Sequence, residues 1–104
     1  MRKRTRSREL ALMVLYQTEM TKVPAAESLA IFWENHPTEE EIREFTESLV
    51  TGTLKHLDHI NEVISQSAEN WELSRMAAVD RNILRLAAYE LLYLKDIPPK
   101  VSLN

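Results

Sequence analysis

Residues 79–101 read VDRNILRLAAYELLYLKDIPPKV, an almost wholly apolar helical pattern that runs into two prolines. At 100° per residue, Ile83, Leu84, Leu86, Ala87, Ala88, Leu91, Leu92 and Leu94 cover an arc of roughly 240°, far wider than the stripe of a surface helix. Asn82, Arg85, Tyr89 and Tyr93 fill the rest. The spacing predicts the central helix of an all-α domain, from Arg81 to Leu94, with Asp80 as a candidate cap. Glu90 interrupts the apolar arc between Leu86 and Leu94. It needs an Arg or backbone N–H partner if buried, or else this part of the helix lies at the domain edge and Glu90 reaches solvent. Pro98-Pro99 suits the first turn of a further helix.

Working back from this segment, the sequence stays helical. A first helix is expected from Thr5 or Ser7 to about Met20, with Leu10, Met13, Val14 and Tyr16 available for burial, and a second from about Pro24 to Glu34, presenting Leu29, Phe32 and Trp33. Thr38 with Glu41 matches a capping box. Ile42, Phe45, Leu49, Val50, Leu54, Leu57, Ile60, Val63 and Ile64 then keep helical spacing, as one long helix or two joined near Asp58. Gly52 costs about 1 kcal/mol against alanine in a helix, which marks either a close helix crossing or a tolerated exposed glycine. Ser74 is a candidate cap for a short turn carrying Met76, Ala77 and Val79. No alternating strand pattern or internal repeat is visible. The expected fold is a compact all-α domain of about five helices, with residues 1–104 forming a single domain.

Composition bounds the function. Hydrophobic residues at 44% and charged residues at 28% are those of an ordinary globular protein. No apolar run approaches the ~20 residues of a membrane span, and no secretory cleavage pattern follows the N-terminus, so no membrane role and a cytoplasmic location are expected. The absence of cysteine excludes disulfides and thiolate chemistry. A single glycine excludes the phosphate-cradling loops that need several.

The net charge of −3 conceals an asymmetry. Arg2, Lys3, Arg4, Arg6 and Arg8 place five of the 13 basic residues, and none of the 16 acidic ones, in positions 1–8. A basic arm on an acidic body points to a polyanion; the alternative is a solvated, frayed terminus. Arg4 and Arg8, four apart, share a helix side if the first helix reaches back that far.

Catalytic patterns are missing. His56 and His59 sit at i, i+3, but zinc catalysis needs a third ligand, and a solvated face explains the pair. Glu39, Glu40, Glu41, Glu44 and Glu47 read as the acidic start of a helix. No nucleophile-elbow spacing occurs, so neither catalytic residues, a metal nor another cofactor is expected. Trp33 and Trp71 are candidates for base stacking, although aromatics at helical spacing more often belong to a core.

The opening Arg4-Thr5-Arg6-Ser7-Arg8-Glu9-Leu10-Ala11 with Tyr16, taken together with residues 79–101, closely resembles the NusB family of bacterial transcription antitermination factors. Family members continue beyond the double proline, so the chain resembles one lacking its C-terminal helices, and exposed apolar surface with self-association is expected. The resemblance implies a non-enzymatic factor that binds single-stranded boxA-like RNA of ribosomal RNA leaders together with the small-subunit ribosomal protein NusE, within the RNA polymerase antitermination complex. It places RNA contacts on Arg4, Arg6, Arg8 and Tyr16, with Arg2 and Lys3 added on charge alone. Thr5 stands where many relatives carry another basic residue, which weakens the arm. Asp80, with Arg85, is implied as the protein-partner surface, a plain helix cap being the alternative for Asp80. A NusB-like accessory domain of a ribosomal RNA cytosine methyltransferase and a helical interaction module without RNA are the competing readings.

Overall fold

The computed structural model describes residues 2–67 and 72–94. Five α-helices follow one another: α1 Arg2–Thr21, α2 Ala25–Asn35, α3 Glu40–Lys55, α4 Leu57–Ser67 and α5 Ala78–Tyr93, with a 3-10 turn at Leu73–Arg75 before α5. No strand occurs among the described residues. Trp71 and the segment from Pro98 to Asn104 lie outside them.

The first helix starts earlier than expected, at Arg2, so the basic arm is a helical turn rather than a frayed tail. Arg and Lys are good helix formers, although positive charge at a helix N-terminus opposes the helix dipole. Lys3 meets the acidic start of α3, its Nζ lying 2.8 Å from Glu39 and 2.7 Å from Glu41, and this offsets the unfavourable placement. The same contact explains why the Thr38/Glu41 capping box does not form. Glu39 is the N-cap of α3 without a side-chain cap bond, and the Glu41 carboxylate is turned toward Lys3. Lys22, at φ 60°, ends α1.

The heart of the fold is α1 against α3. Leu10, Ala11, Val14 and Leu15 of α1 and Leu49 and Val50 of α3 are essentially inaccessible, and Leu29, Phe32 and Trp33 of α2 close over them. Where α1 crosses α3 the contact residues are small and polar. The Ser7 hydroxyl donates to the Lys3 carbonyl at 2.8 Å, and the Thr46 hydroxyl to the Ile42 carbonyl at 2.7 Å. Both thus satisfy their own helix backbone while letting the axes approach. Met13 and Tyr16 are exposed rather than buried, because the core-facing stripe of α1 runs through Ser7, Leu10, Ala11, Val14 and Leu15. Trp33 is a core residue, with its indole N–H donating to Glu47 at 2.8 Å.

The sequence pattern overstates the burial of α5. Only Asn82 and Leu86 are buried on it, while Val79, Ile83, Leu91 and Leu92 are exposed. An apolar side chain is buried only where another element meets it, and the described elements meet α5 along one stripe. The helix begins at Ala78 with Ala77 as N-cap, so Asp80 lies in the first turn and is not the cap. Ser74 likewise falls within the 3-10 turn, whose N-cap is Glu72.

Residues 40–67 form two helices, broken at His56, whose backbone N–H bonds the Gly52 carbonyl at 3.1 Å. Gly52 does mark a close crossing: a Cβ there would overlap the ring of Tyr89 on α5. That ring stacks on Tyr93, itself stacked on His56 at 4.0 Å between centroids. Gly52→Ala is therefore expected to destabilise the chain by about 1 kcal/mol, overpacking exceeding the propensity gain. In a Tyr89→Ala background the same change should stabilise by about 1 kcal/mol. Urea unfolding of the four proteins measures this reversal of sign; stabilisation in both backgrounds would show that the ring yields at no cost.

Candidate nucleic-acid interface

Helix α1 carries all six sequence candidates for RNA contact, five of them in its first two turns and Tyr16 further along, and the structure sorts them by how firmly they are held. Arg2, Lys3, Arg4, Arg6 and Tyr16 are exposed. Lys3 bridges Glu39 and Glu41, which holds its ammonium pKa above the ordinary lysine range and that of Glu41 below the ordinary carboxylate range. Arg6 pairs with Glu9 at 3.2 Å, both side chains more than half exposed. Exposed pairs of this kind contribute little, on the order of 0–1 kcal/mol, so a phosphate can replace the carboxylate. Arg4 lies over the Phe45 ring, 4.4 Å from its centroid.

Arg8 is different. Its Nε and Nη2 clasp the Glu90 carboxylate in a fork, with Nη2 2.8 Å from Oε1 and Nε 2.9 Å from Oε2. Glu90 is only 12% exposed, and its hydrogen bonds to Arg8 hold the guanidinium pKa above its ordinary value. Of the two sequence readings for Glu90, burial with an Arg partner is the one observed. Arg4 and Arg8 share a side of α1 as expected, but that side leans on α3 and α5 rather than facing solvent as a bare ridge.

The other end of α1 holds a network that the sequence reading missed. Glu19 accepts from Arg81 in a second fork, at 2.9 and 3.0 Å, from Arg85 at 3.0 Å and from Asn82 at 3.2 Å. Arg81 also donates to the Leu73 and Met76 carbonyls, tying down the 3-10 turn. Arg85 donates to Asn61 of α4 at 2.9 Å. Its guanidinium is thus engaged within the chain, on the same helix as the exposed Asp80. A signal existed in the sequence: Arg81 and Arg85 are like charges at i, i+4, unfavourable unless an anion sits between them. Asp80 is exposed at the positive end of α5.

The histidine pair makes aromatic contacts. His56 stacks on Tyr93, and His59 Nδ1 meets the Tyr93 hydroxyl. No cluster of three or more His, Cys, Asp or Glu groups suited to a metal occurs among the described residues.

The model of the NusB family matches residues 5–104. The chain belongs to the NusB family. It is 40% identical to the transcription antitermination protein NusB of Syntrophus aciditrophicus over 104 residues, covering all of this chain and 65% of that protein. It is 45% identical over 102 residues to the Bacillus subtilis protein of the same name, covering 98% of this chain and 75% of the relative. Thus the chain spans about two thirds to three quarters of the length of these NusB relatives. Among solved structures, antitermination factors NusB and NusE in complex with dsRNA include a chain similar to this one, with a TM-score of 0.84, 27% identity and coverage of 98% of this chain and 76% of the other. NusB of T. maritima gives a TM-score of 0.81 at 33% identity, covering 98% and 70%. The all-α NusB fold is therefore shared over nearly the whole chain.

Proposed function

We propose that this chain is a non-enzymatic transcription antitermination factor that binds boxA-like single-stranded RNA through the N-terminal turns of α1, together with the ribosomal protein NusE, in the RNA polymerase antitermination complex. The observation that carries the reading is the helical basic turn, with cations from Arg2, Lys3, Arg4 and Arg6 displayed at one end of an otherwise acidic chain. Such cations release counterions from phosphates, while single-stranded bases stay open to stacking and hydrogen bonding. Tyr16, exposed on the same helix, offers a ring or hydroxyl to a base. Arg8 acts as a positioning residue, fixing the basic turn against α5. The similarity to a chain of a NusB–NusE complex with dsRNA supports RNA and NusE as the classes of partner. Relatives named as antitermination proteins favour this reading over a methyltransferase accessory domain.

A mobility shift with boxA-like single-stranded RNA, with and without the ribosomal protein, tests the proposal. Binding that tightens with the protein supports it; no binding in either lane contradicts it. Asp80 is proposed to face the basic partner, where charge reversal costs affinity by repulsion. Asp80→Lys is expected to weaken partner binding about tenfold or more while changing stability by less than about 1 kcal/mol; equal affinity in a titration would remove Asp80 from the interface. Self-association through the exposed Val79, Ile83, Leu91 and Leu92 is also proposed, since exposed apolar surface favours association. A concentration-independent monomer in sedimentation would exclude it.

A further inference from the structure

We propose that the cleft between the N-terminal turns of α1 and α3 is a nucleobase subsite of the RNA interface, selective for guanine, with Phe45 and Arg4 as its stacking wall and Glu44 as the acceptor that reads the base edge. This deepens the RNA-binding reading and rests on it.

The cleft, about 320 Å³, is lined by Lys3, Arg4, Ser7, Glu41, Glu44 and Phe45. These six residues combine properties that a phosphate site does not need. The guanidinium of Arg4 lies over the Phe45 ring, and both guanidinium planes and aromatic rings are surfaces on which unstacked bases settle. Two carboxylates, Glu41 and Glu44, line the same cleft and would repel a phosphate. They suit instead an uncharged ring with N–H groups on its edge, as when a carboxylate accepts from a base amino group.

The two carboxylates are not equivalent. Glu41 is engaged by Lys3 at 2.7 Å, so its carboxylate is already paired. Glu44 is exposed and has no ion pair or side-chain hydrogen bond among the described residues. A guanine offers N1–H and N2–H side by side, matching both oxygens of one carboxylate. Adenine and cytosine offer one amino group each beside a ring acceptor, and uracil offers one N–H between two carbonyls that a carboxylate repels. Guanine is therefore the base that satisfies Glu44 most fully. Ser7, fully buried with its hydroxyl turned to the Lys3 carbonyl, forms part of the floor and leaves reading to the walls.

The test uses the full chain and two short single-stranded RNAs, one carrying a single guanosine in a uridine background and one with inosine in its place, which lacks the N2 amino group. The parent chain should prefer the guanosine strand by about tenfold, within the range for a bidentate base contact. Glu44→Gln should bring the two strands to within roughly twofold, since one of the two carboxylate acceptors is lost, and leave the salt dependence unchanged. Phe45→Leu, checked for unaltered helical content, should weaken both strands several-fold at an unchanged ratio of affinities, as loss of a stacking ring does. No guanosine preference in the parent, or a preference that survives Glu44→Gln, overturns the subsite while salt-dependent RNA binding leaves the broader reading standing. Equal tightening of both strands by Glu44→Gln, with the ratio kept, also overturns it, because Glu44 would then act only as a repelling charge. Failure of the parent to bind either RNA overturns the subsite, and the broader reading is decided separately by the boxA-like strand.

Discussion

Glu19→Gln is expected to lower the unfolding free energy by about 2 kcal/mol, as loss of charged hydrogen bonds in a partly buried network does. Glu19 is the single acceptor shared by Arg81, Arg85 and Asn82, and the two arginines are only 15% and 12% exposed. Glutamine keeps the shape but leaves two guanidiniums facing each other without an anion. Arg81 would then lose its fork while still tied to the Leu73 and Met76 carbonyls, so the damage should spread from α1 to the 3-10 turn and α5. Acid should reproduce the effect in the parent chain. The hydrogen bond from Arg81, then that from Arg85, holds the Glu19 carboxyl below its ordinary value of 4.5. A group depressed on folding contributes stability above its unfolded pKa and loses it as pH falls through the folded one. The stability gap between parent and Glu19→Gln, measured by urea unfolding, should thus be widest near neutrality and close in acid below pH 4.5. A gap independent of pH would mean that packing, not charge, sets the cost.

The second large effect concerns the clamp at the other end of α1. Arg8→Gln and Glu90→Gln are each expected to destabilise by about 2 kcal/mol, as charged hydrogen bonds in a partly buried setting do. The double variant should cost little more than either alone, because both remove the same fork. The RNA consequence separates Arg8 from its neighbours. A residue that positions the basic turn without touching a phosphate leaves the salt dependence of binding unchanged when replaced, while lowering affinity through a looser helix. Arg8→Gln should therefore weaken RNA binding at all salt concentrations by the same factor, and Glu90→Gln should do likewise. A shallower salt slope for Arg8→Gln alone would return Arg8 to the set of phosphate contacts.

The periodicity of apolar residues made the helical segments legible but not the break at His56 that separates α3 from α4, and Leu29, Phe32 and Trp33 of α2 are buried as their spacing implies. The basic turn was legible as charge, and Gly52 as a close approach. What the pattern did not reveal were choices made between chains of interaction far apart in sequence. Glu41 has the spacing of a capping box, yet Lys3, 38 positions away, takes its carboxylate. Arg8 and Glu90, separated by 82 positions, each carry a local reading that their pairing overrides. The exposure of Ile83, Leu91 and Leu92 was equally hidden, because hydropathy records what a side chain favours and not whether an element is there to meet it. Arg81 could have been found, since two arginines one turn apart on an apolar helix require an anion, but nothing in the sequence singles out Glu19 as that anion.

RNA recognition through the exposed cations of the first helical turns is tested most directly by the salt dependence of affinity for a boxA-like single strand. With three or four phosphates neutralised, log K against log salt should have a slope of about −2 to −3, from roughly −0.7 per contact on single strands. Replacing Arg4 and Arg6 together by Gln should make that slope shallower by about 1.4, with helical content unchanged because Gln is nearly as good a helix former as Arg. An undiminished slope in the Arg4→Gln/Arg6→Gln protein would contradict the assignment and move the RNA to another surface.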